Sequence, residues 1–192
     1  SEAVPVIEES LINNENELNQ DVIINKGNKI YYLTQNQDKY INFPAISELN
    51  IGTCIVKLRE YYHMDSTAPL TILKVDIKID RLTSVQYNVY NSMNRQKLNL
   101  EVCKDEIIVI SSPVILNNDS LTSFESIKSQ GYDIFNSKDD FYNEICTRFT
   151  GENNTDMLIS DRKKYYYNDS GLCEEGCEYM KYDKEEKKIG CK

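Results

Sequence analysis

The sequence predicts an α+β fold: a sandwich-like antiparallel β-sheet module with one accessory helix, followed by a small helix-and-loop module stapled by disulfides. Three observations lead there. Short segments between Val22 and Val102 alternate apolar and polar residues and are separated by polar turns, as half-buried antiparallel strands are. One stretch around Cys54 switches to helical spacing. Beyond Leu116 the strand signal stops, and three of the six cysteines crowd into Gly171 to Lys192, a tail too poor in apolar mass to fold by burial alone. At 192 residues the chain suits one domain or two small ones, divided here into an acidic arm (1–20), a β-rich module (21–116) and a cysteine-rich module (117–192).

The arm carries Glu2, Glu8, Glu9, Glu15 and Glu17 with no basic residue. It reads as a solvated tail, or as a strand from Val4 to Ile7 that adds to a sheet edge of a neighbouring molecule. Val22-Ile23-Ile24 and Lys29 to Leu33 form a hairpin with Gly27 in the turn. A short strand at Tyr40 to Phe43 ends at Pro44. Thr53 then caps a helix that turns Cys54, Leu58 and Tyr61 or Tyr62 to one side and carries Cys54 inward. Leu73 to Asp80 alternates apolar and charged residues over eight positions, which predicts one core face and one solvent face. The alternation returns at Val85, Tyr87 and Val89 after an Arg81 to Ser84 turn, and again at Leu98, Leu100 and Val102. Glu106 to Ile115 is the last strand, with Pro113 restricting it to an edge or an exit.

In the second module Ser120 is placed to cap a helix burying Leu121, Phe124 and Ile127, and Gly131 to end it in a left-handed cap. Ser137 with Asp140 opens a short helix through Phe141 and Ile145 toward Cys146. Ser160 opens another, from Asp161 to Tyr167.

Lys plus Arg number 22 against 31 Asp plus Glu, a net charge of −9. Affinity for phosphate backbones comes from clustered Lys and Arg, so nucleic acid is excluded as a partner. No stretch approaches the roughly 18 consecutive apolar residues of a membrane span. The chain opens at Ser1 and stops at Cys191-Lys192, which fits a mature chain or an ectodomain excised from a longer, membrane-anchored parent.

Six cysteines, Cys54, Cys103, Cys146, Cys173, Cys177 and Cys191, together with Asn-X-Ser/Thr sequons at Asn118, Asn153 and Asn168, point to an oxidising exterior and to N-linked glycans. The preferred pairing is Cys54 with Cys103, Cys146 with Cys173 and Cys177 with Cys191: one long loop in the sheet module and two staples in the tail. Zinc is disfavoured because Cys173 and Cys177 have no second pair at matching spacing and His63 is the single histidine. His63 also lacks a nucleophile elbow and reads as a surface or capping residue. Asp156 with Asp161, or Asp139 with Asp140, are the carboxylate pairs available for acid/base chemistry, but carboxylates this frequent need no such role, and capping or solvation is the default reading. Gly151 to Asp156 offers oxygen ligands without the EF-hand pattern. Tyr165, Tyr166, Tyr167, Tyr179 and Tyr182 could form a contact surface or pack within the tail.

The stretches Gly131-Tyr132-Asp133-Ile134-Phe135-Asn136, Asp140-Phe141-Tyr142-Asn143-Glu144-Ile145-Cys146-Thr147, Asn154 to Arg162 and Cys173-Glu174-Glu175-Gly176-Cys177 resemble a module of cysteine-rich, often membrane-associated surface proteins of ciliates and related protists. With a preceding sheet segment from Gly52 to Cys103, the likeness covers about residues 45 to 192. Such proteins often carry a further cysteine after a Cys-x-Cys ending, whereas this chain stops at Lys192, which leaves the last pairing open. The resemblance implies an extracellular role beside membrane spans or in repeated arrays, and implies no catalytic residue. The expectation is therefore a non-enzymatic, structural or adhesive glycoprotein of a cell-surface coat, appendage or filament, without a cofactor and self-associating. The alternative is a receptor-type ectodomain binding a peptide or glycan through its tyrosines.

Overall fold

A computed structural model describes residues 10–12, 21–35, 45–79, 82–114, 118–144, 146, 148–149, 156–167, 173–174 and 176–192. The expected strand at Tyr40 to Phe43 and the arm's Val4, Val6 and Ile7 lie outside them. The chain divides into two compact units, Ser1–Pro113 and Val114–Lys192, so that the first ends on the proline expected at a strand exit. Both units are mixed α and β, and every strand pairing described within them is antiparallel.

The first unit is built on a four-stranded sheet of order β1-β2-β4-β5, formed by β1 (Val22–Lys26), β2 (Lys29–Thr34), β4 (Leu70–Ile79) and β5 (Leu82–Asn91). Gly27 opens the β1–β2 turn at φ 64°, a left-handed conformation that a side chain would resist. β5 begins at Leu82, so Thr83 and Ser84, expected in a turn, pair with Lys78 and Ile77.

Strand β4 keeps the alternation its sequence shows, but both of its faces are buried. Leu73 and Val75 join Tyr31, Leu33, Tyr90, Leu11 and Ile12 in one cluster, with Ile77 packed beside them. Leu11 and Ile12 belong to a helical turn at residues 10–12, so this part of the acidic arm is packed rather than solvated. On the opposite face Leu70 and Ile72 meet Val89, Ile51, Leu98 and the helix α1 (Cys54–Tyr61).

The expected solvent face is corrected at Lys74 and Asp76, which are 2% and 0% exposed. Ser47, just ahead of the short strand β3 (Glu48–Asn50), explains how they survive burial. Its N–H and hydroxyl donate to Asp76 at 2.6 and 2.5 Å. The Lys74 ammonium donates to the Ser47 hydroxyl at 2.6 Å, to Asp76 at 2.9 Å and to the Ser47 carbonyl. Two opposite charges saturated by hydrogen bonds can leave water without the penalty an isolated ion incurs. Cross-strand neighbours Tyr32 and Tyr87 flank Lys74, and the ammonium lies 5.8 Å from the Tyr32 ring centroid.

β3 pairs with β6 (Val109–Pro113). The predicted strand through Leu98, Leu100 and Val102 is instead a 3-10 turn, Leu100–Cys103. The Asn99 side chain accepts the Glu101 N–H at 3.0 Å, and this local cap outcompetes an extended ladder. All three apolar residues still pack on the same core as Leu58.

In the second unit α2 (Asn118–Ser129) buries Phe124 and Ile127. It starts two residues ahead of the expected Ser120 cap. At its end the Tyr132 N–H reaches the Ile127 carbonyl and the Gly131 N–H that of Lys128, with Gly131 at φ 95°, a Schellman ending as expected. Helix α3 (Asp140–Asn143) is capped by Asp139 rather than Ser137, and α4 (Ile159–Tyr167) starts one residue before Ser160. The tail holds a hairpin, β7 (Tyr179–Asp183) with β8 (Lys188–Cys191), whose Tyr182 and Ile189 enter the unit's core with Phe135 and Phe141.

Removing Asp76 alone strands a buried ammonium. We expect Asp76→Ala to lower unfolding free energy by about 3 to 5 kcal/mol, and Lys74→Met with Asp76→Leu to cost clearly less. Urea denaturation measures both, and equal losses would contradict the ion-pair reading.

Candidate functional site

The features that most constrain this molecule are its sulfur bridges and the polar groups lashed around them. Cys54 opens α1 and faces inward because Leu58, one helical turn on, shares its buried side. Its sulfur is bonded to Cys103, at the end of the 3-10 turn, and both residues sit within the core of the first unit. Two polar ties run alongside. The Tyr62 hydroxyl accepts the Asn99 N–H at 2.8 Å. Glu106 accepts from the Thr53 hydroxyl and forms an ion pair with Lys57 at 2.5 Å. Thr53 occupies the helix N-cap position, yet its hydroxyl serves Glu106 and makes no cap bond. The Lys57 ammonium and then the Thr53 hydroxyl hold the Glu106 carboxyl below the usual glutamate range.

Helix α1 ends as a Schellman turn, with the Met64 N–H on the Arg59 carbonyl at 2.8 Å and His63 in the left-handed position at φ 52°. The histidine is therefore an exposed capping residue.

In the second unit Cys173 is bonded to Cys191, with their Cα atoms 5.8 Å apart. This corrects the expected Cys146–Cys173 and Cys177–Cys191 pairings; Cys146 and Cys177 carry free thiols. The hairpin supplies the reason. Glu178 and Lys192 exchange both backbone hydrogen bonds, and Tyr179 stands opposite Cys191, so Cys177 lies beyond the Cys191 position in the ladder. Gly176 at φ 88° closes a turn in which the Cys177 N–H reaches the Glu174 carbonyl, and this turn brings Cys173 back to the strand end.

Arg162 organises the aromatic core nearby. It is 2% exposed, donates to the carbonyls of Met157 and Phe141 at 2.9 and 3.0 Å, pairs with Asp156 at 3.4 Å, and stacks 5.3 Å from the Phe141 ring. Asp156 also accepts the Phe149 N–H at 2.9 Å. The Asp139 carboxylate accepts the N–H groups of Phe141 and Asp133. One carboxylate of each pair nominated for acid/base work, Asp156 and Asp139, thus holds backbone in place. Asp161 and Asp140 are exposed residues in the first turns of their helices.

Of the tyrosines weighed as a contact surface or as tail packing, Tyr179 and Tyr182 pack within the unit. Tyr179 donates its hydroxyl to Asp133 at 2.7 Å, and Tyr182 is buried among Phe124 and Phe135, its hydroxyl without a partner among the described residues. Tyr165 to Tyr167 contribute helical backbone. Asn118 is the first residue of α2; Asn153, Asn168 and most of the Gly151 to Asp156 run lie outside the described residues. Among the described residues no helix is long and apolar enough to cross a membrane, and no group of three or more His, Cys, Asp or Glu could hold a metal ion.

Arg162, Glu106 and the Ser47–Lys74–Asp76 cluster escaped sequence reasoning. Each is a charged or polar residue in a chain full of them, and only the fold brings its partner near. No protein-family model, curated protein or solved structure matches this chain.

Arg162 spans two carbonyls and a carboxylate with a planar fork that one ammonium cannot reproduce. Arg162→Lys is therefore expected to lower stability by about 2 to 4 kcal/mol in urea denaturation; a loss under about 0.5 kcal/mol, the range of an ordinary surface change, would contradict this.

Because its carboxyl is depressed in the fold, Glu106 contributes stability above the ordinary glutamate range, and that contribution is lost as pH falls through the depressed value. The denaturation midpoints of wild type and Glu106→Gln should converge toward acid pH. A difference that stays constant with pH would refute the tie.

Proposed function

We propose that the chain is a structural or adhesive glycoprotein of the cell exterior, acting as a subunit or ectodomain of a protist surface coat, appendage or filament, with no catalysis of its own. The observation that supports this most is a disulfide in each of the two units, one of them inside the core of the first. Paired cysteines belong to oxidising compartments, the setting of secreted and surface proteins. A small unit cross-linked through its core resists unfolding outside the cell, where chaperones do not restore it. The resemblance of Gly131 to Cys177 to protist surface proteins agrees with such a role, and the sequon at Asn118 is compatible with glycan attachment.

In this reading the chain binds copies of itself or neighbours in a surface assembly, alone or as the exterior part of a membrane-anchored parent. Antibodies raised against the full chain should stain intact, unpermeabilised cells of the source, and sedimentation of the secreted protein should show association that grows with concentration. Staining only after permeabilisation, with a monomer at every concentration, would overturn the proposal.

A further inference from the structure

Charge is unevenly placed in the first unit. Residues 1–25 hold five glutamates and Asp21 with no Lys or Arg, whereas residues 22–37 and 81–100, which include β1, β2 and β5, hold no Asp or Glu. Three lysines gather at one end of this sheet. Lys26 and Lys29 stand opposite each other across the β1–β2 turn, and Lys29 stands opposite Ile77. The Lys78 N–H reaches the Asn28 carbonyl at 2.8 Å, and the Asn28 amide donates in return to the Lys78 carbonyl at 3.2 Å, which holds the turn against the end of β4. Lys26 and Lys78 are exposed and Lys29 half-buried, and none of the three has an ion-pair partner among the described residues. Ile79 lies two positions past Ile77, so it shares a face with Lys26 and Lys29, and it is 54% exposed. The one carboxylate of β4, Asp76, is buried against Lys74 and Ser47 and offers these lysines nothing. Asp80 and Arg81, between β4 and β5, add one charge of each sign.

We infer that this end of the sheet is a docking site for the acidic arm of a second copy of the chain, with Glu2 to Glu9 as the docked segment. The inference rests on the self-assembly reading above and names its surface. The segment Glu2-Ala3-Val4-Pro5-Val6-Ile7-Glu8-Glu9 has an apolar centre with carboxylates on both sides. The sheet end offers the complement, an exposed isoleucine with ammonium groups on both sides. Copies of a chain with net charge −9 repel one another unless opposite charges are brought together, and the lysine end meeting the arm does this. The contact joins two different surfaces, so each copy keeps one free arm and one free lysine end. Repeated contacts of that kind close into rings or run on as open chains, as a coat or filament requires.

The test is sedimentation of the full chain across a concentration series at low and at high salt. Wild type should associate at low salt and less so at high salt, because exposed charges are screened. Lys26→Glu with Lys78→Glu, and separately Glu8→Lys with Glu9→Lys, should each weaken association at least about tenfold, since like charges then face each other. Mixing the two variants sets reversed arm against reversed sheet end and should restore association, which misfolded variants could not do. Either variant associating at wild-type strength, or a mixture that stays monomeric, would overturn the inference and leave self-assembly through another surface standing. Capture of the wild type by phosphatidylserine vesicles, without rescue on mixing, would overturn it in favour of a lipid surface. A wild type that is monomeric at every concentration would bring down both the inference and the self-assembly reading.

Discussion

A covalent link in each of two small units is the constraint on which the rest of this molecule depends. Neither Ser1–Pro113 nor Val114–Lys192 is large, and small units bury a modest share of their surface. The bridges span 49 and 18 residues, and chain-entropy reasoning assigns such loops about 4 and about 3 kcal/mol respectively. Those amounts are comparable to the margin by which domains of this size hold together. In the first unit the bridge fixes α1 against the 3-10 turn, and Tyr62 and Glu106 hold the same junction from outside. In the second it pins the chain entering β7 to the end of β8.

Around these links, charge serves as a fastener. Lys74 and Asp76 sit on a face of β4 where hydrocarbon would ordinarily be, and they hold Ser47, and with it the approach to β3, against the sheet. Arg162 does the equivalent work in the second unit, reaching from α4 to the carbonyl of Phe141 in α3 while its guanidinium lies over that residue's ring. Such groups specify one arrangement more sharply than apolar packing does, because a displaced partner leaves a buried ion or donor unsatisfied.

Much of this was legible in the residues, for identifiable reasons. The β1–β2 hairpin, the α1 face carrying Cys54 and Leu58, and the Gly131 helix ending depend on local chemistry, and local chemistry is written in a few neighbouring positions. The Cys54–Cys103 bridge followed because each cysteine lay in the same module. What failed depended on distant partners. The period of β4 was correct, but no pattern along the strand announces that Ser47 covers Lys74 and Asp76. Leu98, Leu100 and Val102 mimic a strand because an extended Asn99 leading into the 3-10 turn brings all three to the same core. The bridge between Cys173 and Cys191 required the β7–β8 register, and that hairpin was hidden in a tail read as loop. Among the candidate site residues, the acidic pairs were visible as carboxylates, while their duties toward Phe149, Phe141 and Arg162 became clear only in three dimensions.

Fold and chemistry thus converge on a molecule held in shape by sulfur, with Lys74, Asp76, Glu106 and Arg162 drawn into structural contacts. Urea unfolding of the intact chain, followed by circular dichroism with and without a thiol reductant, tests this most directly. If the bridges brace the units, reductant moves the midpoint to markedly lower urea and unfolds part of the chain before any is added. Superimposable curves, with reduction confirmed by thiol titration, would show that burial alone sustains the fold and would contradict the account.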